Sequence, residues 1–443
     1  MIGVHNYLAL IKGRVTSYIL LLISVCAARI ALLSISFSHD FVDWVFLGIA
    51  VTQGHLFHGV YTGPSLIFAS AYWLWLRATN DSIVATKLYE LVNTAPSAHI
   101  WTELSPSLMA FNLTMKGPLI IADLLTMLMI VHIVTRTTSS LSRGMVAGLM
   151  WAGSPLVFLL EMFNTVEIYP AAFILLGAYA IYNSQIGRGA THLAIGTILR
   201  FAPSLLAWIY PLALARSRQF RQAVVFVGVQ FVILLSSLLL ASYFVGFKTV
   251  AEIFGQRPGI IVGEGWGTMG PFLFPQEAFS QYGIPLTATA CIFLGYFLSK
   301  PVAWRRREVG SEVVAFFAMY FAFSTFSAFS AYFLLWMLPS LVVYTAASRV
   351  KIKRYGIITS LAFLYTCLSV DTNSSLGGKG LFFLLNLNST MEGVSSSLPS
   401  PLAWPFVQVF TRTLFTGSLL LMLIFTMTET QTKQQPSGHL PLG

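Results

Sequence analysis

Charged residues and cysteines are scarce in this sequence of 443 residues. Asp, Glu, Lys and Arg together make up 9% of the chain, whereas hydrophobic residues make up 56%. A soluble globule needs more polar surface than this to cover its interior, so the composition excludes that class and indicates a polytopic membrane protein. The only cysteines are isolated in or near apolar runs, which indicates neither a disulfide framework nor a thiolate metal site: Cys26, Cys291 and Cys367.

Motifs for nucleotide and metal chemistry are also missing. The chain has no Walker loop, no GxGxxG that opens a helix, no HExxH and no Cys/His cluster. His39, His55 and His58 lie close together, but their aromatic surroundings favour anchoring at a membrane interface over metal binding. The net charge is +10, yet the basic residues form short clusters between apolar runs, as cytoplasmic anchors do. We therefore expect no bound metal at these histidines and no nucleic-acid partner.

Long apolar runs dominate the sequence instead. Windows of about 20 apolar residues predict about ten membrane spans, near 15–37, 118–136, 144–163, 167–184, 222–246, 285–300, 311–328, 331–348, 355–371 and 403–427. The expected fold class is an all-α polytopic membrane protein with a single domain over residues 1–427 and a disordered cytoplasmic tail, 428–443. Most basic residues then fall on one side, which places both termini in the cytoplasm.

Two apolar stretches do not fit a simple crossing. Residues 189–221 have basic residues at both ends and an interruption at Arg200-Phe201-Ala202-Pro203. Proline disfavours helix at and just before its position, which predicts a re-entrant pair of half-helices entering from the cytoplasmic side. Arg200 within it can bind an anion or extend toward water. The run 65–77 is too short to span and predicts a short interfacial helix on the outer surface.

Three predicted outer regions are long enough to hold a site: 38–117, 247–284 and 372–402. The second is rich in Gly and Pro, which is typical of a covering loop. In the first, Asp40 and Asp43 are spaced to share one face of a helix, and helix capping and catalysis both remain open for them. All four Asn-x-Ser/Thr sequences fall outside in this topology: Asn80, Asn112, Asn373 and Asn388.

Other charged residues lie near the outer side. Asp123 is about one turn inside its predicted span, where a carboxylate either pairs with another helix or faces water. Glu161 and Glu167 flank a tight outer connection, where they are loop acids or ligands. Lys116 and Arg257 are outer cations that are surface charges or bind a phosphate head group.

Several of these stretches together resemble the integral-membrane GT-C glycosyltransferases, most closely the catalytic subunit of GPI mannosyltransferase I and its archaeal mannosyltransferase-like relatives. Asp40 precedes Gly54 as an Asp precedes a Gly in that family, although Ser38-His39-Asp40 replaces the family's Asp-x-Asp. In MKGPLIIADLL, Lys116 and Asp123 stand at the matching places.

Further segments extend this resemblance. In SPLVFLLEMFNTVEI, Asn164 and Glu167 replace an Asn and an Asp of the family, and in RFAPSLL, Arg200 stands at a Lys position. The family's Tyr-Phe-x-x-Trp segment, which ends in Pro, is matched by Tyr332, Phe333, Trp336 and Pro339. The loop 247–284 contains Arg257 but not the family's His.

The resemblance implies transfer of a hexose, with mannose the leading candidate, from a polyprenyl-phosphate donor of the dolichol phosphate mannose type. The acceptor would be a lipid or glycan on the extracytoplasmic face, and transfer would invert the anomeric centre. Asp40 would be the general base. The acceptor would be oriented by Asp43, Asp123, Asn164 and Glu167, and the donor phosphate would be bound by Lys116, Arg200 and Arg257.

Two rival interpretations remain open. Broken helices and an intramembrane Arg also occur in transporters, which allows a lipid-linked sugar transporter or flippase. The missing first Asp of Asp-x-Asp allows an inactive GT-C-like partner subunit. The need for a divalent cation or for a partner subunit stays open in each case.

Overall fold

The computed structural model describes residues 2–34, 39–54, 62–94, 105–162, 166–199, 203–216, 218–245, 331–348, 355–362, 413–414, 416–422 and 424–425. Within these ranges the secondary structure is helical and contains no strand, which confirms the all-α prediction. In the described part of the chain, two helical stretches are long and apolar enough to cross a membrane, Pro106–Thr138 and Phe220–Leu240. The predicted spans at 285–300 and 311–328, both later outer loops and the tail lie outside the described residues.

The elements follow one another in this order: α1 Ile2–Ser34, α2 His39–Thr52, α3 Thr62–Thr79, α4 Ile83–Thr94, α5 Pro106–Thr138, α6 Leu141–Ala152, α7 Pro155–Met162, α8 Ile168–Tyr182, α9 Ile186–Leu199, α10 Pro203–Arg216, α11 Phe220–Val245, a 3-10 helix Ala331–Trp336 and α12 Leu338–Ser348. Residues 355–362 and 416–422 are also helical.

Helix α5 starts earlier than the apolar run that predicted it. Ser105 caps its N-terminus by accepting a hydrogen bond from the Leu108 amide at 3.2 Å, and Pro106 occupies the first helical position. The helix is continuous through Pro118 to Thr138. Residues 106–117 were predicted as part of an outer loop, but they belong to this helix, which starts at Pro106.

The stretch predicted as a span at 144–163 is not one continuous helix. The chain forms two helices there, α6 and α7, separated by Gly153 and Ser154. Pro155 has no amide hydrogen to donate to α6 and takes the first position of α7 instead. The Ser154 carbonyl then accepts the Phe158 amide at 3.1 Å, which begins the hydrogen bonding of α7.

Helices α9 and α10 lie on either side of the tripeptide where the interruption was predicted. Each has 14 residues, so each is about 21 Å long, shorter than the hydrocarbon core of about 30 Å. The start of α9 and the second half of α10 both lie beside the first part of α11. Gln230 donates to the Ala190 carbonyl at 3.1 Å, and the rings of Tyr210 and Phe226 lie 5.9 Å apart.

Helices α2 and α3 pack as a hairpin on the beginning of α5. Phe68 of α3 lies 6.1 Å from the ring of Trp44 in α2, and Trp75 of α3 lies 5.2 Å from Phe111 in α5. Gly48 permits this approach, because a Cβ there would lie 2.8 Å from the Phe68 backbone. Helix α3 runs from Thr62 to Thr79, longer than the stretch 65–77 that predicted it, and one face of it is buried against the protein.

Large apolar side chains are exposed on helices at the periphery of the bundle. On α11 the exposed fraction is 71% for Val224, 63% for Phe231 and 83% for Tyr243. Leu20 on α1 is 60% exposed. Continuous apolar exposure of this kind is typical of helices that contact lipid.

Candidate functional site

A buried ion pair joins α1 to α5. Arg29 Nη2 lies 3.0 Å from Asp123 Oδ2, and both residues are buried. Asp123 Oδ1 accepts the indole N–H of Trp151 in α6 at 2.6 Å. Arg29 Nη1 donates to the carbonyl of Ala152, the last residue of α6, at 3.3 Å. We name Arg29, Asp123, Trp151 and Ala152 the ion-pair cluster; it holds three helices together and compensates two buried charges.

A second polar cluster lies at the C-terminal end of α1. The last carbonyls of a helix have no donor within the helix. Asn112 Nδ2 donates to the carbonyls of Leu33 and Ser34 at 2.9 and 2.8 Å, and Lys116 Nζ donates to Leu33 at 3.1 Å. The Lys116 ammonium also lies 5.2 Å from the ring centroid of Phe41 in the first turn of α2. We name these five residues the helix-end cluster.

The two clusters lie along one face of α5. Asn112, Lys116 and Asp123 are four and seven residues apart, which places them on the same side of the helix. Arg29 precedes Leu33 by about one turn, while Asp123 follows Lys116 by about two. Helices α1 and α5 therefore run antiparallel, and the chain between them leaves and returns at one end of the bundle, which we call the α2 end.

The preferred acids of the sequence analysis lie at the α2 end. Asp40 is the second residue of α2 and directly precedes Phe41, and Asp43 follows one turn later. The start of a helix there is as predicted. Phe41, Val42 and Val45 are fully buried, so α2 is packed into the protein.

Glu167 is buried at the start of α8. Its exposed fraction is 1%, and its Oε2 accepts the indole N–H of Trp336 at 2.5 Å. Trp336 is the last residue of the 3-10 helix and lies 169 residues further along the chain. A carboxylate before the first turn of α8 is also stabilised by the helix dipole. The structure thus brings together two segments that the resemblance had selected separately.

Helix α7 connects this carboxylate to the α2 end. Phe158 packs with Leu33 and Ile120, beside the end of α1. Met162 ends α7 about one turn later, and Glu167 directly precedes the first residue of α8. The first turn of α2, Lys116 and the Glu167–Trp336 contact therefore lie at the same end of the bundle, whereas Asp123 lies deeper along α5.

Three of the proposed site residues lie outside the described part of the chain: Asn164, Arg200 and Arg257. Leu199, which directly precedes Arg200, lies against Gly63 at the start of α3. A Cβ on Gly63 would be 2.9 Å from Leu199 Cδ2 and 3.3 Å from the Ile198 carbonyl oxygen. The end of α9 therefore reaches the helices of the α2 end.

The sequence patterns missed several polar partners. Arg29 was visible only as a cation in an apolar run, and neither it nor Trp151 was assigned a contact. Asn112 belongs to an Asn-x-Thr sequence of the predicted outer region, and its side chain is fully buried. The signal for its burial was the four-residue spacing from Lys116, which places both on one helical face once Ser105 and Pro106 are read as a helix start.

No three His, Cys, Asp or Glu side chains gather as a metal site among the described residues. No known protein family, no curated protein and no solved structure matches this chain.

Proposed function

We propose that this chain is an integral-membrane glycosyltransferase of the GT-C type. It transfers a hexose, with mannose the leading candidate, from a polyprenyl-phosphate donor to a lipid or glycan acceptor on the extracytoplasmic face. The proposal includes about ten membrane spans, a re-entrant pair formed by α9 and α10, both termini in the cytoplasm and the α2 end on the outer side.

The observation that carries this proposal is the convergence of distant segments at the α2 end. The segments around Asp40, Lys116, Glu167 and Trp336 were selected by the resemblance independently of one another. These segments lie at one end of the bundle, which supports a shared site there. The contact between Leu199 and Gly63 brings the end of α9 to the start of α3, at the other end of the α2–α3 hairpin from Asp40.

In the proposed reaction Asp40 is the general base. Its carboxylate takes the proton of the acceptor hydroxyl, whose oxygen forms a bond to the anomeric carbon. The bond from that carbon to the phosphate oxygen breaks on the opposite face, and its electron pair leaves with the polyprenyl phosphate. Asp43, Asn164 and Glu167 orient the acceptor, and Arg200 and Arg257 bind the phosphate.

Asp123 receives a different role from the one the resemblance implies. Both of its carboxylate oxygens are engaged, one by Arg29 and the other by Trp151. We assign Asp123 to holding α1, α5 and α6 together, so that its effect on the acceptor is indirect.

The test is sugar transfer from labelled polyprenyl-phosphate-mannose to native membrane acceptors. We expect Asp40→Asn to lower the rate by at least about 100-fold, because it removes the base. The matched control is Asp81→Asn: the Asp81 carboxylate caps α4 by accepting the Ile83 amide at 3.0 Å, a role that Asn also fills. Undiminished transfer by Asp40→Asn removes Asp40 as the base.

A transporter of lipid-linked sugar is the second candidate. The observation that favours it is the pairing of short helices, α6 with α7 and α9 with α10, because discontinuous helices are common around transporter sites. Translocation of a labelled sugar lipid in proteoliposomes, without transfer from any donor, would support this candidate. The absence of both activities would support an inactive GT-C-like partner subunit.

A further inference from the structure

We infer that Lys116, together with Asn112, positions the first turn of α2 and hence Asp40, and does not bind the donor phosphate. This inference rests on the proposed function, because it gives Lys116 a role in the same reaction. It replaces the phosphate contact that the family resemblance implies for this residue.

The surroundings of Lys116 favour a backbone-holding role. The side chain is 0% exposed, and its ammonium donates to the Leu33 carbonyl at 3.1 Å. The C-terminal end of a helix carries a partial negative charge, which stabilises a cation there. Asn112 binds the same carbonyl and the next one, so two side chains of α5 hold the last turn of α1.

The same cluster also reaches the start of α2. Only residues 35–38 connect α1 to α2. Leu33 and Ser34 lie on one side of this connection and Phe41 on the other, and Lys116 contacts both sides. Because the connection is short and Lys116 contacts residues on both sides of it, a change at Lys116 alters the position of the first turn of α2 relative to α1.

The position of Asp40 depends on these contacts. It directly precedes Phe41, whose fully buried ring lies near the Lys116 ammonium and 6.5 Å from the ring of Phe68. A base must lie within hydrogen-bond reach of the proton that it removes, so a displacement of about 1 Å lowers the rate strongly. Lys116 is therefore a positioning residue for Asp40.

Kinetics separate positioning from phosphate binding. We expect Lys116→Met, which keeps the chain length but removes the charge, to lower kcat by about 100-fold with the KM for the donor unchanged. Lys116→Arg retains a cationic donor and should restore most of kcat. Lys87→Met, an exposed lysine of α4, is the matched control and should behave as the wild type. A raised donor KM with unchanged kcat would show phosphate binding and overturn the inference.

A second measurement does not depend on transferase activity. In a chain with its native cysteines replaced by alanine, His39→Cys places a thiol at the first residue of α2. We expect Lys116→Met to raise the rate of maleimide labelling there by at least about tenfold, since it releases this turn. Equal labelling rates in the two backgrounds would overturn the inference.

The two measurements distinguish the failure of this inference from the failure of the proposed function. If the wild type transfers no sugar but the labelling rate rises, the proposed function is wrong and Lys116 still holds the start of α2. Asn112→Leu, which keeps the branched shape of the side chain but removes its hydrogen-bonding groups, provides a second variant if Lys116→Met does not accumulate as a monodisperse protein. Asn112→Leu should also raise the rate of maleimide labelling at His39→Cys, and an unchanged rate would contradict the inference.

Discussion

Two buried cations lie along the same side of α5, Lys116 on the helix itself and Arg29 beside it on α1, and their contacts differ. Arg29 meets the carboxylate of Asp123 and the carbonyl of Ala152 at the end of α6, whereas Lys116 meets a peptide carbonyl at the end of α1 and an aromatic ring in α2. The ion pair lies where three helices touch, so it contributes to holding them together. The lysine lies where the chain leaves one helix for the next, so it contributes to placing the second of these helices.

The difference teaches that the location of a buried charge along a helix decides its role. An ion pair between packed helices contributes to holding them together, so its loss lowers the stability of the fold. A cation at a helix end touches carbonyls that no intrahelical donor satisfies. We expect its loss to change first the position of α2 relative to α1, and with it the position of Asp40.

Breaking the ion-pair cluster should have the largest effect on stability. We expect Arg29→Met to lower the free energy of unfolding by about 3–5 kcal/mol, because Asp123 would keep a buried charge without this cation. Thermal unfolding in detergent measures the loss. The double change Arg29→Met with Asp123→Leu should recover most of it, since an apolar pair of similar volume has no charge to compensate. A double variant as unstable as the single one would contradict the charge-pair explanation.

Removing the indole donor to Glu167 should have a smaller effect. Trp336→Phe deletes the N–H that Glu167 Oε2 accepts and keeps an aromatic ring. We expect a loss of about 1–3 kcal/mol, the range for leaving a buried polar group with one hydrogen bond fewer. The loss should appear together with a raised KM for the acceptor, because Glu167 orients the acceptor in the proposed site. Trp73→Phe, on the exposed face of α3, is the control; an equal loss there would contradict a specific role for the Glu167 contact.

Changing the helix-end cluster should cost less stability than changing the ion pair. Asn112→Leu deletes two hydrogen bonds to carbonyls of α1, which predicts a loss of about 1–3 kcal/mol. For Asn112→Leu, the increase in activation free energy calculated from kcat should exceed the loss in free energy of unfolding. For Arg29→Met we expect the reverse order. If the same variant had the larger effect both on kcat and on thermal unfolding, the distinction between the two clusters would be contradicted.

The cap of α5 should have the smallest effect. Ser105→Ala removes the acceptor for the Leu108 amide, and lost N-caps typically cost about 1 kcal/mol. Exposed Ser82, which precedes α4, provides the control substitution Ser82→Ala. A loss as large as that of Arg29→Met would show that the start of α5, and not the ion pair, determines the stability of this region.

Helix content and approximate helix positions could be predicted because they depend on local patterns. The apolar run at 167–184 corresponds to α8, and Pro203 correctly indicated the start of a new helix. Proline by itself was ambiguous, however. Pro155 begins α7 after an interruption, while Pro118 lies inside continuous α5. Whether a helix continues through a proline depends on what neighbouring helices supply, and this information is not local.

The site was predictable in part for the same reason. The start of α2 at the predicted acids follows from local spacing, and the structure describes a helix there. The burial of Asn112, by contrast, depends on tertiary packing. Its amide group is satisfied by the end of α1, a segment far away in the chain. An Asn-x-Thr sequence carries no information about such a partner.

The sequence by itself determined that this protein is helical and strongly apolar, because hydropathy and helix signals act over one or a few turns. Only the tertiary structure decided which charges meet. Arg29 meets Asp123, Lys116 meets the end of α1, and Glu167 meets Trp336. Each of these contacts joins helices that are distant in the chain, and burial makes each group depend on the particular partner that packing supplies.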